Sequence, residues 1–379
     1  MPLRAALPER LAERQGKKVV LVMRVAFKDV SYTPLEAALA ETNKSVSELY
    51  AVMSRQKLQF DFRILPRIFT TPQNRSVYDG SAEALDRMQS QIDAWVKELQ
   101  LQRGRDYDYL VVHYPELPQE GAGAFADDKT GDIQVVGFDT YRTNALGHEL
   151  GHSLGLLHAH AIYAPDIFGT PNSDDNDDEY GNVHDLLGAP RDKPDPHIGV
   201  SSKWLLGWLN AQEISEVTRS GVYRVYAHDN VRKPGRLVGL RIPSKNPKYA
   251  YWFEYRTKFA VSRTGALVLF EGFRSPPDGS LHLLDMKPTS GTTQVDEFND
   301  AALVPGQSLA DKYGDARFKV VAVSAGVPNE DAWVDIEVSI PGTTAVSSDG
   351  GMEVGATTPD GGVQDAAADL GAPDTAGNP

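Results

Sequence analysis

The segment His148-Glu149-Leu150-Gly151-His152-Ser153-Leu154-Gly155-Leu156-Leu157-His158 decides how the rest of the chain is read. On a helix, His148 and His152 stand four residues apart and leave the same face, one turn above the other. Two neutral imidazoles presented this way suit zinc. Glu149 sits beside the first of them, where its carboxylate reaches a water next to the metal without ligating the metal itself. A straight helix would carry His158 away. Gly155 can take the left-handed conformation and turn the chain, so that the third imidazole returns. Three protein ligands leave one coordination position open, which marks a catalytic zinc rather than a closed structural one. A bare His-Glu-x-x-His also arises by chance; Gly155 and His158 at the required spacings make zinc the expected reading. Leu150, Leu154, Leu156 and Leu157 are ordinary core anchors for the helix.

The chain around this segment has 379 residues, no cysteine, 38 basic and 52 acidic side chains, and a net charge of −14. That length suggests two domains plus some unstructured chain. A hydrophobic content of 41% places the bulk among globular proteins. The negative charge excludes a duplex nucleic-acid binder, which needs clustered Lys and Arg to displace counterions. The missing cysteines exclude thiol catalysis, iron–sulfur clusters, cysteine zinc fingers and disulfide scaffolds. No apolar run reaches the length of a membrane span; the most hydrophobic early stretch, Val19 to Phe27, is interrupted by Arg24. Nor does the N-terminus carry a signal peptide's apolar core, so such a segment is expected to be absent from this numbering. The charge is uneven. Asp166 to Asp195 holds nine acidic and two basic residues, and Pro341 to Pro379 holds six acidic residues and no basic ones.

Periodicity divides the chain further. Residues 1–16 read as a leader or its remnant. Val19 to Phe27 predicts a central strand, Ser45-Val-Ser-Glu48 a capping box opening a short helix through Met53, and Leu58 to Phe69 another strand. Leu85, Met88, Ile92, Trp95, Val96 and Leu99 recur at helical spacing. Tyr109–Tyr114 and Ile133–Phe138 predict further strands, the second at a sheet edge. After Asn210 the segments become short, β-branched or aromatic and are separated by Gly, Pro and Asp, which predicts an antiparallel sandwich. The tail from Pro341 has no aromatics and is expected to be disordered. The expected organisation is a leader at 1–16, a metallopeptidase-like domain over 17–210, a β-sandwich over 211–340 and an acidic tail over 341–379, giving an α+β fold.

The extended histidine motif resembles that of the metzincin clan of zinc peptidases. Within the clan, the chain resembles the gametolysin-type family, which includes secreted bacterial enzymes. Supporting stretches are Ser45-Val-Ser-Glu-Leu-Tyr50 with Ser54, Tyr180-Gly-Asn-Val-His-Asp-Leu-Leu-Gly188 and Lys203-Trp-Leu-Leu-Gly-Trp208. The resemblance covers roughly residues 17–210 and weakens through the sandwich. It implies a zincin-like catalytic domain, with a mixed twisted sheet and a zinc-site helix, and peptide-bond hydrolysis with Glu149 as general base. His148, His152 and His158 would hold Zn2+. It further implies a secreted or cell-surface bacterial monomer acting on protein or glycoprotein substrates. One departure stands out: where metzincins place a methionine in a turn beneath the zinc, this chain has Leu187. No tyrosine follows that turn, so the extra tyrosine ligand of some subfamilies has no counterpart. The alternative of another class is a non-catalytic, zinc-containing protein that binds extracellular glycoproteins. Intact Glu149 favours the enzyme.

Five of the nine histidines lie between His148 and His184. His160 is either an alternative ligand, a group orienting the ligands, or a solvent-facing loop residue, the last being favoured. His184 is expected to serve local structure near the turn. His113, His197, His228 and His282 lack metal spacing. Asp174, Asn176, Asp178, Asn182 and Asp185 carry part of the spacing of a calcium loop, with Ca2+ as a second cofactor candidate on Asp174, Asn176, Asp178 and Asp185. Glu179 stands where an EF-hand needs glycine, which favours a solvated acidic loop. Tyr251-Trp-Phe-Glu-Tyr-Arg256 is expected in the core or at a domain interface rather than on a glycan.

Overall fold

The computed structural model describes residues 14–118, 121–127, 130–171, 173–190, 196–229, 235–257, 264–273, 280–288, 297–324 and 331–345. Strand β1 (Gly16–Ala26) is buried on both faces along most of its length, the pattern of a central parallel strand. It pairs in parallel with β2 (Leu58–Thr70) on one side and β3 (Tyr109–Tyr114) on the other. Next come β4 (Gly123–Ala126) and β5 (Ile133–Val136), giving the order β2-β1-β3-β5-β4. β5 runs parallel to β3, whereas β4 is antiparallel and closes the edge. The edge is therefore β4, not the segment around Ile133. Gly-Ala-Phe-Ala is too short and too weakly patterned to announce a strand.

Side chains alternate across β1. Val20 and Val22 face a core shared with helix α1 (Glu36–Met53), while Leu21, Met23 and Val25 face helix α2 (Ala82–Glu98) through Met88, Ile92 and Trp95. Helix α3 (Thr143–Ser153), which bears His148 and His152, packs on the α1 side through Leu146 and Leu150. α1 begins nine residues before the expected capping box. Glu36-Ala-Ala-Leu-Ala is itself strongly helix-forming, so the serines fall mid-helix, and Ser47 Oγ there donates to Phe60 O at 2.7 Å.

The second half forms two further sheets. The first contains β6 (His160–Ile162), β7 (Asp177–Asp178), β8 (Ile214–Glu216), β10 (Gly239–Pro243), β11 (Ala250–Glu254), β12 (Leu267–Glu271) and β13 (Leu281–Leu283), in the order β7-β6-β13-β12-β11-β10-β8. The second contains β9 (Gly221–Tyr226), β14 (Ser308–Ala310), β15 (Arg317–Val323) and β16 (Trp333–Ser339), in the order β14-β15-β16-β9. They share a core built from residues such as Leu240, Tyr251, Phe270, Phe318 and Ile336. The fold is α+β. Two features depart from a simple antiparallel sandwich: β6 pairs in parallel with β13, and β8 with β10. The seven-stranded sheet also takes β6 and β7 from before residue 210, so it crosses the expected boundary. Its outer face is covered by helix α4 (Val200–Leu205), with Val200 and Trp204 in one cluster with Trp252 and Leu269. At the N-terminal end, Arg14 and Gln15 are not loose leader: Trp208 Nε1 donates to Arg14 O, and Gln15 Nε2 to Gly207 O. Most of the tail, from residue 346, lies outside the described residues, as do residues 1–13.

Candidate active site

Helix α3 ends in two capping hydrogen bonds around a left-handed glycine. Gly155 has φ +86°, Leu156 N–H donates to Gly151 O at 3.1 Å, and Gly155 N–H donates to His152 O at 2.7 Å. The chain reverses there and brings His158 back. A tight turn at Asp185–Gly188 supports the reversal from below, closed by Gly188 N–H on Asp185 O at 3.0 Å and Leu187 N–H on Asp185 Oδ1 at 2.9 Å. The returning strand is tied to this turn by Ala159 N–H on Leu187 O at 2.9 Å.

These constraints gather His148, His152 and His158, each offering one ring nitrogen within 4.8 Å of the others. His148 Nδ1 lies 2.9 Å from Leu186 O, and His152 Nδ1 lies 2.8 Å from Leu156 O. A carbonyl oxygen only accepts, so each Nδ1 carries a proton and each ring turns its Nε2 inward. The two Nε2 atoms are 3.0 Å apart. Burial, followed by the charge of His152, lowers His148 to about 4, so it is neutral at pH 7. Three converging imidazole nitrogens are a donor set that zinc takes. The residues present therefore fit a zinc ion. His158 Nδ1 sits 2.7 Å from Glu179 Oε1, which fixes its ring through a carboxylate in the same way.

Glu149 is buried at the side of this cluster, with burial pushing its carboxyl up to about 7 against the opposing hydrogen bond from the Ala126 backbone. A bound cation acts in the opposite direction. A cleft of about 810 Å³ opens over the three imidazoles and Glu149. Its walls include Ala124–Ala126 of edge strand β4, and Tyr180, whose ring centroid is 4.1 Å from that of His158. Glu179 and Tyr180 thus join the site. Their sequence signal is weak: Tyr180 stands only in a family-like stretch, and Glu179 only as the residue where an EF-hand needs glycine.

Leu187 packs against the histidine helix at Gly151. A Cβ added at Gly151 would sit 2.8 Å from Leu187 Cδ2. Leu187→Met conserves volume and is expected to cost less than about 1.5 kcal/mol, whereas Leu187→Ala is expected to cost about 2–5 kcal/mol. Urea unfolding of the two variants checks the difference, and equal losses would show that the turn does not rest on this side chain.

The described calcium candidates are each engaged by backbone hydrogen bonds. Asn176 Oδ1 accepts from Thr170 N–H, Asp178 Oδ1 from Tyr180 N–H, and Asp185 from Leu187 and Gly199 N–H. Asp185 is buried beside Arg256, and the side chain of Asp174 lies outside the described residues. Among the described residues, none of the acids proposed for calcium belongs to a group able to share an ion. Asp178 caps the local turn at Tyr180, and Asp185 serves both the turn at Leu187 and the contact with Gly199. His160 is buried rather than solvent-facing, and His184 Nε2 contacts Phe298 O at 3.0 Å, away from the cleft. Tyr251–Arg256 is buried throughout, with no surface for a glycan.

No family model matches the chain, and no curated protein matches it. Among solved structures it is similar to wild-type OgpA from Akkermansia muciniphila, at 10% identity and TM-score 0.36, covering 71% of this chain and 78% of that one. A second crystal form of wild-type OgpA gives 10% identity and TM-score 0.36 over 80% of this chain and 89% of that one. Catalytically inactive OgpA in complex with an O-glycopeptide (glycodrosocin) substrate gives 9% identity and TM-score 0.32, covering 68% and 71%. Such TM-scores do not establish a common fold, so the site stands on its own geometry.

Proposed function

We propose that the chain is a zinc-dependent endopeptidase of metzincin type, secreted or displayed at the cell surface, that hydrolyses peptide bonds in extracellular proteins or glycoproteins. The observation that carries this reading is the buried carboxylate of Glu149 beside three converging imidazoles, in a cleft walled by the edge strand of a sheet. His148, His152 and His158 hold the metal, and residues 17–210 supply every catalytic group. When bound, zinc supplies a Lewis acid for the scissile carbonyl and brings the pKa of water toward neutrality.

The chain's own residues do the rest. The outer edge of β4 offers backbone N–H and C=O groups to an extended peptide, which joins the sheet as a further strand and lies across the imidazoles. Glu149 Oε accepts the proton of the attacking water and returns it to the departing amine nitrogen. Leu186 O, Leu156 O and Glu179 keep the three rings in the tautomer that points Nε2 at the metal.

Incubation with an unstructured protein and with an O-glycosylated one, before and after chelation, tests the reading. Cleavage is expected to stop with the chelator and to return with added zinc. Cleavage insensitive to chelation would overturn the metal's role. Zinc binding without cleavage of either substrate would favour a binding protein instead.

A further inference from the structure

A second cluster of metal-binding side chains lies beyond the proposed catalytic centre. His160 on β6 and His282 on β13 are direct partners in the parallel ladder, with ring centroids 4.8 Å apart. They continue a row of cross-strand partners running Ile242, Tyr251, Phe270, His282, His160 over the inner face of the seven-stranded sheet. The first three of that row are sandwich core. Asp177 on β7 opposes Ile162, two residues along the same face from His160. Its Oδ1 lies 2.7 Å from His160 Nδ1 and 3.1 Å from His282 Nε2, and the three side chains are only 4%, 3% and 0% exposed for His160, Asp177 and His282.

We propose that His160, Asp177 and His282 form a second divalent-metal site of zinc type, buried among three adjacent strands. Two imidazole nitrogens and one carboxylate oxygen are a zinc donor set, and too few oxygens are present for calcium. Ligand bonds of about 2.0–2.1 Å in a tetrahedron put neighbouring ligand atoms roughly 3.3 Å apart. Against that, the Asp177–His160 separation of 2.7 Å needs to open by roughly 0.6 Å and the Asp177–His282 separation of 3.1 Å by roughly 0.2 Å. A divalent ion would also balance the charge of the buried Asp177 carboxylate. His160 is two residues beyond His158, and Asp177 is two residues before Glu179, the partner of His158 Nδ1. The site therefore clamps both segments that position the third ligand of the first centre. The inference does not rest on the peptidase reading.

The full-length chain, stripped by chelation and retitrated with zinc sulfate, is assayed for bound zinc by mass spectrometry, with a thermal melt of each variant to establish folding. Wild type is expected to bind two equivalents, and His282→Phe and Asp177→Asn one each. The double variant His148→Ala/His152→Ala is expected to keep one equivalent and to gain in melting temperature when zinc is added. A folded double variant that binds no zinc overturns the second site, since a purely hydrogen-bonded trio would behave that way. Retention of both equivalents by His282→Phe and Asp177→Asn overturns it as well. Failure of the first site instead gives a wild type with a single equivalent, kept by the double variant and lost in His282→Phe.

Discussion

Glu149→Gln is expected to retain bound zinc at the wild-type level while hydrolysis falls by about 10²–10⁴-fold, the range contributed by a positioned general base. Glutamine fills the same volume and can still accept the hydrogen bond that Ala126 gives the native side chain. It cannot take a proton from water at neutral pH, so the loss isolates proton transfer from packing. Metal content and turnover measured on one preparation decide the matter. Unchanged turnover would remove Glu149 from the mechanism, and parallel loss of zinc and activity would make the carboxylate a ligand rather than a base.

Arg256→Met is expected to be the most damaging substitution away from the cleft, costing about 3–5 kcal/mol. Arg256 is buried and donates through Nε to Glu254 Oε1 at 2.6 Å, and through Nη1 to His197 O at 2.8 Å and to His184 O. Glu254 in turn accepts from Val200 N–H at 2.8 Å, and Asp185 Oδ2 accepts from Gly199 N–H at 2.6 Å, so both acids hold the start of α4. Burial alone would raise the Glu254 carboxyl, but Arg256 holds it well below the usual carboxylate range. Nearby His228 is lowered to about 4 by burial and by Lys203, so at neutral pH it is uncharged and the guanidinium is the operative cation.

The sign of the pH dependence follows. In wild type, the stability contributed by Glu254 is complete above the pKa of a free glutamate, about 4.3, and is lost as pH falls through the lower folded value. In Arg256→Met the folded value rises instead, and stability is lost as pH climbs above that of the free residue. The gap between the two proteins is therefore expected to be wider at pH 7 than at pH 4. Urea unfolding at the two pH values measures it, and a gap independent of pH would show that the guanidinium acts through packing alone. Because Arg256 grips His184 O next to the Asp185–Gly188 turn, weaker zinc binding is expected to accompany the loss.

The histidine cluster was legible because its parts are local. His148, His152, Gly155 and His158 fall within eleven residues, and helix geometry together with one left-handed glycine dictates how they meet. β1, β2, β3 and α2 were legible for the same reason, each carrying its own periodicity. The parts that escaped depend on long-range pairing. Nothing near His282 signals that it will lie beside His160, and single-residue spacing cannot show that a parallel ladder aligns them. The short β4 escaped because four small or mixed residues carry no alternation, although it supplies a wall of the cleft. In the acidic loop, Asn176, Asp178 and Asp185 accept backbone hydrogen bonds, which a residue count does not reveal.

The pairing of β6 with β13 also sets an order of events during synthesis. The histidine motif is complete once residue 158 has been made, yet the strand leaving it has no neighbour on that side until residues 281–283 follow, and the turn beneath it lacks its guanidinium until residue 256. Chains grow from the N-terminus at roughly 5–20 residues per second, so several seconds separate the appearance of the metal-binding residues from the closure of their surroundings. A ribosome-bound or truncated chain thus carries the whole motif without the scaffold that aligns it.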